Sequence, residues 1–166
     1  MITTLTTERL SLHTLTVEDH SFIQELLNTN GWLQFIGDRK VHSKEDALAY
    51  INKINGTPNI HYWVVCPIET NDPIGIITFM KRPYLEHFDI GFAFLPQYNG
   101  QGYAHEAAKA VLSAVCLMPE HATVLATTLP DNIRSIHLLT KLGLQFQTEL
   151  EIDGKTLRVY SNRIKA

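Results

Sequence analysis

The sequence is short of several things, and each shortage excludes a class of protein. There are 2 cysteines in 166 residues. That is too few for a disulfide framework, and Cys66 and Cys116 both lie in apolar runs, where free buried thiols are expected. The 8 histidines show no His-x-x-x-His repeat and no Cys/His pair at ligand spacing, so no metal site is expected. Positive charge is not in excess. Lys+Arg 14 against Asp+Glu 17 gives a net charge of −3, with no whole-molecule pull toward nucleic acid or an anionic membrane. No apolar run is long enough to span a bilayer, and Met1 to Arg9 holds no apolar leader core. Repeats, low-complexity tracts and linkers are absent too. The expectation is one cytoplasmic domain over residues 1–166, a monomer or homodimer, with no nucleic-acid or membrane partner.

What is present is ordinary globular composition, 45% hydrophobic and 19% charged, organised around one stretch, His87 to Ala108. Phe88, Ile90, Phe92 and Phe94 alternate with smaller or polar residues, which predicts a strand that Pro96 stops. A turn follows, Gln97-Tyr98-Asn99-Gly100-Gln101-Gly102, and then an Ala-rich helix over Tyr103 to Leu117. Strand, glycine turn and helix together present free backbone N–H groups at the positive end of a helix dipole. Gly100 and Gly102 let an anion approach the backbone closely, which suits a phosphate or diphosphate. The P-loop is excluded because no Lys follows Gly102. A dinucleotide fingerprint would need glycine where His105 stands, and Glu120 precedes the next strand instead of ending it.

The rest of the chain reads as further strands and helices. Arg9 to Thr16 is a strand, and Thr16-Val17-Glu18-Asp19 looks like a helix start carrying Phe22, Leu26 and Leu27 on one side. Trp32, Phe35 and Ile36 suggest another helical turn. Ser43 caps a helix through Asn55-Gly56. His61 to Ile68 and Ile74 to Met80 are strands, the second apolar on both faces and hence central. Ala122 to Leu129 is a strand, and Asn132 to Leu142 a helix ended by Gly143. Leu144 to Ile152 and Leu157 to Ile164 form a hairpin across Asp153-Gly154. This order predicts an α/β protein, a mixed sheet with helices on both faces.

Gln97, Gly100 and Gly102 fit the pattern Gln/Arg-x-x-Gly-x-Gly/Ala, which resembles the acyl-CoA-binding motif of the GNAT N-acetyltransferase superfamily. Asn132-Ile133-Arg134-Ser135, with Lys141-Leu142-Gly143-Leu144 after it, looks like the second signature of that superfamily. Thr7-Glu8-Arg9-Leu10 and Leu12 are similar to the opening of its ribosomal-protein alanine N-acetyltransferase branch. The resemblance implies a mostly antiparallel central sheet. It implies acetyl-CoA as co-substrate, bound by Phe92, Ala93, Phe94, Gln97, Gly100, Gln101, Gly102, Tyr103, Ala104, Asn132, Ser135 and Lys141. It further implies an amine acceptor, a protein N-terminus or a small amine such as a polyamine. A non-catalytic acyl-CoA-binding module is the reading from another class. Three departures stand out. Leu139 occupies the position of a common proton-donating Tyr, with Ser135 as substitute. Leu144 replaces a Phe, and Gln97 stands where others carry Arg.

Attack of an amine on a thioester needs a neutral amine, a stabilised oxyanion and a departing thiolate. An α-amine of pKa roughly 7.7–8.0 is already about one tenth neutral near pH 7, whereas a lysine at roughly 10.4 is almost wholly charged. A weak base therefore suffices for an α-amine. Asp89 is the favoured candidate over Glu86 and His87, with Ser135 and Asn132 completing the catalytic set. Backbone N–H groups near Phe92 to Phe94 are expected to meet the oxyanion. Trp32, Phe35 and Tyr50 are expected to wall the acceptor pocket.

Overall fold

Alternating strands, capped helices and glycine turns assemble into one layered sheet. The computed structural model describes residues 1–163. In chain order it has β1 (Thr4–Thr6), β2 (Leu10–Thr14), α1 (His20–Leu27), α2 (Asn30–Phe35), α3 (Lys44–Gly56), β3 (Ile60–Pro67), β4 (Gly75–Met80) and β5 (Asp89–Phe94). It continues with α4 (Tyr103–Val115), β6 (Leu125–Thr128), α5 (Ile133–Lys141), β7 (Gln145–Ile152) and β8 (Lys155–Ser161). The strand order is β1-β2-β3-β4-β5-β6-β8-β7, antiparallel throughout except between β5 and β6. As expected for an apolar run, β4 is central and buried on both faces.

One face packs on α4 and α5. Leu10, Leu12, Trp63, Ile77, Phe79 and Ile90 meet Ala107, Ala108, Val111, Val115 and Leu139 there. The other face packs on α1, α2 and α3, through Val64, Cys66 and Ile76 against Ile23, Leu26 and Ile51. Each fully buried Leu, Ile or Val contributes about 1.5–3 kcal/mol, so both layers are firmly held to the sheet. Helix starts follow local chemistry. Ser43 Oγ accepts from Asp46 N–H at 3.1 Å, and Asn132 Oδ1 accepts from Ser135 N–H at 3.3 Å. Asp153 and Gly154 take φ of 50° and 76°, a primed hairpin turn between β7 and β8.

Several boundaries differ from expectation. Val17–Asp19 is a single 3-10 turn closed by Asp19 accepting from Thr16 N–H at 2.9 Å, and α1 starts only at His20. The strand expected over Ala122 to Leu129 is shortened to Leu125–Thr128, because Pro119–His121 form a 3-10 turn before it. α4 ends at Val115, two residues early. β1 is an unforeseen edge strand, and Trp63 Nε1 ties its entry by donating to the Ile2 carbonyl at 2.9 Å. Cys66 is buried as expected, whereas Cys116 is half-buried; both are free thiols. Ile164, the expected end of the last strand, lies outside the described residues.

Candidate active site

The site grows out of a gap in the sheet. β5 pairs with β4 at every residue from Asp89 to Phe94. With β6 it shares one register pair, Asp89 with Leu125, where Leu125 N–H donates to the Phe88 carbonyl at 2.9 Å. Beyond that pair the two strands part toward their C-terminal ends. Leu95 N–H donates to the Ile74 carbonyl at 2.9 Å, so odd-numbered residues of β5 turn their backbone polar groups to β4. By alternation, Phe92 and Phe94 turn theirs into the wedge, while Ala93 spends its amide on β4. A wedge lined by backbone donors accepts an extended, hydrogen-bonding chain, as a sheet edge does.

The wedge opens toward the start of α4. Gly100 and Gly102 have φ of 79° and 81°, the left-handed region that glycine occupies without cost. At Gly102 a Cβ would also sit 3.3 Å from Arg9 Nη2, a tight contact that the guanidinium would have to give way to. Thr29, Ser43 and Asn132 cap α2, α3 and α5 with side-chain oxygens, whereas α4 starts at Gly102 with no side-chain cap. The first helical bond runs from Glu106 N–H to the Gly102 carbonyl at 3.0 Å. The amides of Tyr103, Ala104 and His105 thus precede the helical ladder with no capping side chain. Exposed Gln97 and Gln101 flank them, Gln101 Nε2 donating to the Gln97 carbonyl at 3.1 Å. These features fit a diphosphate.

Asp89 lies at the vertex of the wedge. It is 2% exposed, and its Oδ2 accepts from Arg82 Nε at 2.8 Å. Among the described residues Oδ1 is buried without a full hydrogen bond, although the Thr127 hydroxyl acts on the same carboxylate and works to lower its pKa. Burial pushes the Asp89 carboxyl above the usual carboxylate range, and the Arg82 guanidinium only partly offsets this. Its side chain points to the face opposite α4, as does that of its row neighbour Leu125. Leu125 in turn lines a cavity of about 390 Å³ with Leu85, Glu86, Leu150 and Val159.

Asn132 and Ser135 come together at the start of α5, which follows β6 out of the wedge. Asn132 Oδ1 is used as the helix cap, leaving its NH₂ to point elsewhere. Ser135 is half-buried, and its hydroxyl makes no hydrogen bond among the described residues. Leu139 is 1% exposed, in the core cluster against which Phe92 and Phe94 pack, and carries no group that could donate a proton. Lys141 stands at the far end of α5, about 13.5 Å along the axis from Asn132, where it complements the helix dipole. Of the residues expected to wall the acceptor pocket, Trp32 and Tyr50 pack in one core cluster with α1 and α3. Trp32 is 5% exposed in the core, Phe35 is only half-buried, and the Tyr50 hydroxyl is 3.1 Å from that of Tyr62.

Three residues were missed as site components. Arg82 was read as part of a turn, although a basic residue just before a strand carrying Asp89 was a usable signal. Arg9 and Glu106 were noted only within motifs. In the structure Arg9 Nε bonds Glu106 Oε2 at 2.7 Å, beside the turn that leads into α4.

A parallel-strand wedge that leads to an uncapped helix start offers backbone donors to an extended ligand that ends in a diphosphate. A family model described as an acetyltransferase (GNAT) domain matches residues 9–145. An uncharacterised N-acetyltransferase of Bacillus subtilis (strain 168), YnaD, is 32% identical over 142 residues, 85% of this chain and 82% of that protein. The chain belongs to the GNAT acetyltransferase family, whose enzymes are acetyl-CoA-dependent N-acetyltransferases. A ribosomal-protein-S5-alanine acetyltransferase from Vibrio fischeri superposes with a TM-score of 0.77 at 18% identity, covering 96% of both chains. A variant of the spermidine N-acetyltransferase from Vibrio cholerae superposes at 0.74 with 17% identity, covering 93% of this chain and 94% of that one. Likeness at that level is one of fold, and the fold carries both acceptor classes. No described helix is long and apolar enough to cross a membrane.

Proposed function

We propose that this protein transfers the acetyl group of acetyl-CoA to the α-amine of a polypeptide N-terminus. The observation that carries the reading is Asp89, a buried carboxylate at the wedge vertex with Oδ2 paired to Arg82 and Oδ1 without a full hydrogen bond among the described residues. Acetyl-CoA, when bound, supplies an activated carbonyl and a thiol leaving group. The amides from Gly100 to Ala104 hold its diphosphate, with Gln97 and Gln101 at the rim. Phe92 and Phe94 present their N–H groups to the chain in the wedge, the one nearer the carbonyl serving as oxyanion donor. Asn132 Nδ2 steadies the arm. Asp89 Oδ1 would take the proton of the incoming amine, directly or through one water, and the Ser135 hydroxyl would pass a proton to the departing sulfur as it takes one from solvent, so that CoA leaves as the thiol.

The acceptor class follows from charge. Arg82 balances Asp89, and the neighbouring cavity is floored by Leu125, Leu150 and Val159. Glu86 is the one acidic residue lining that cavity and Arg163 lines it too, so a polycation with several amines would find few carboxylates to pair with, whereas a peptide with one α-amine needs only one.

Thiol release from acetyl-CoA tests the reading, run on a panel of N-terminal peptides and on spermidine. Turnover is expected with peptides. Turnover with spermidine alone would overturn the acceptor class. Asp89→Asn is expected to lower kcat by about 10²–10⁴-fold with affinity for CoA unchanged. The base works ionised, so activity falls as pH falls through its pKa; burial places that acid limb above the ordinary value of roughly 3.9. Activity of Ser135→Ala within about threefold of wild type would remove Ser135 from the proton-donor role, since a loss that small is far below a typical general-acid contribution.

A further inference from the structure

Glu106 poses a problem for any anion at the start of α4. It is the one acidic residue in the first turn of that helix, where a carboxylate competes with a ligand for the positive end of the dipole. Its side chain is held firmly. Thr7 Oγ1 donates to Glu106 Oε1 at 2.7 Å, and Arg9 backbone N–H donates to the same oxygen at 2.9 Å. Arg9 Nε donates to Oε2 at 2.7 Å. Burial alone would raise the Glu106 carboxyl, but these donors outweigh it and hold it below the usual range, so it is ionised at neutral pH.

Arg9 makes two more contacts on the same turn. Its Nη1 donates to the Gln101 carbonyl at 3.0 Å, and its guanidinium stands 4.4 Å from the centre of the Tyr103 ring. One side chain therefore touches residues 101, 103 and 106. It neutralises the acid, caps the carbonyl that precedes the left-handed Gly102, and stacks on the first helical residue.

We propose that Arg9 is a positioning residue for the diphosphate of acetyl-CoA. It fixes the turn at Gln101-Gly102 and cancels the charge of Glu106, so that the first amides of α4 face an anion without repulsion. The proposal rests on the reading that this helix start receives acetyl-CoA. It also accounts for an enzyme that has Gln97 at a motif position where Arg is common: local balance is set by pairing Glu106, not by adding a cation.

The test uses the full chain with Arg9→Ala, Arg9→Lys, Glu106→Gln and the Arg9→Ala/Glu106→Gln double variant. Calorimetry with CoA and steady-state kinetics are read together. In Arg9→Ala the Thr7 hydroxyl and the backbone amide still hold Glu106, now uncompensated. The expected result is a rise of about tenfold in the CoA Kd and in the KM for acetyl-CoA, with kcat within about threefold, and a smaller effect at high salt. Arg9→Lys is expected to recover part of the affinity, because it restores charge but not the forked geometry. The double variant is expected to bind CoA more tightly than Arg9→Ala. Equal Kd for the double variant and Arg9→Ala would overturn the proposal, as would an Arg9→Ala Kd within twofold of wild type. If Arg9→Ala fails to fold, the comparison of Arg9→Lys and Glu106→Gln with wild type decides by the same Kd readout. Wild-type protein that binds no CoA would instead sink the underlying cofactor reading.

Discussion

His13 on β2 places its Nε2 3.2 Å from Asp19 Oδ1. That hydrogen bond, helped by one to Cys66, pushes the imidazole up to about 10, against a smaller opposing effect of burial. For Asp19 burial would raise the carboxyl, but His13 and Thr16 together hold it below its ordinary value. The signs are opposite. The His13 contribution to stability is complete below the unfolded imidazole pKa of roughly 6.5 and is lost as pH rises through about 10. The Asp19 contribution is present above the ordinary carboxyl value and is lost as pH falls through its lowered pKa. The imidazole is 39% exposed, so water screens the pair. It is worth about 1 kcal/mol or less, roughly 2–4 °C in Tm for a protein of this size. His13→Gln is therefore expected to lower Tm by that amount near pH 6, with the deficit shrinking as pH rises above the unfolded imidazole value of roughly 6.5. Thermal melts of both proteins across that range check it. A deficit independent of pH would refute the linkage.

Among elements, β5 is the most constrained, and Gly91 shows why. It pairs with Thr78 on β4, and a Cβ at position 91 would lie 2.6 Å from Thr78 Oγ1. Gly91→Ala is expected to cost about 1–3 kcal/mol by overpacking. Thr78→Ala removes the offending oxygen and leaves the remaining Cβ at an ordinary 4.0 Å. The double variant should then melt above the sum of the single effects; strict additivity in a denaturation cycle would contradict the contact. Elements of this kind were readable where local rules act alone. β5, its glycine turn and α4 followed from alternation and φ-permissive glycines, and Ser43, Asn132 and Asp153-Gly154 followed from capping and turn chemistry. Long-range contacts were not readable. Arg9 meets Glu106 across 97 positions, and nothing in either local sequence announces the other. β1 is three residues long, too short for a periodic signal. Asn132 could be read either as a helix cap or as a site residue, and the 3.3 Å bond from Ser135 N–H shows its Oδ1 capping α5 while its NH₂ stays available to a ligand.

At the scale of the whole molecule, the sheet is two antiparallel blocks, β1 to β5 and β6 to β8, joined along their seam by the single pair of Asp89 with Leu125. The core beneath α4 and α5 holds the blocks together, so the seam need not be closed by its own hydrogen bonds. No single residue encodes an absent pairing, so the opening could not be read along the chain; only the partial signals of Gly91 and Pro96 pointed toward it. The opening has a measurable consequence within one strand. Gly91 and Ala93 give their amides to β4, while Phe92 and Phe94 turn theirs into the wedge. Amide hydrogen exchange should therefore alternate along β5, slow at 91 and 93 and faster at 92 and 94. Saturating CoA should slow exchange at Phe92 and Phe94 by about tenfold or more. At about one hundred times its Kd it should also stabilise the fold by roughly 2.7 kcal/mol. Uniform protection along β5 without ligand would mean that the seam is closed in solution. Alternation that CoA leaves unchanged would mean that the cofactor lies elsewhere, and the assignment of the wedge would fall with it.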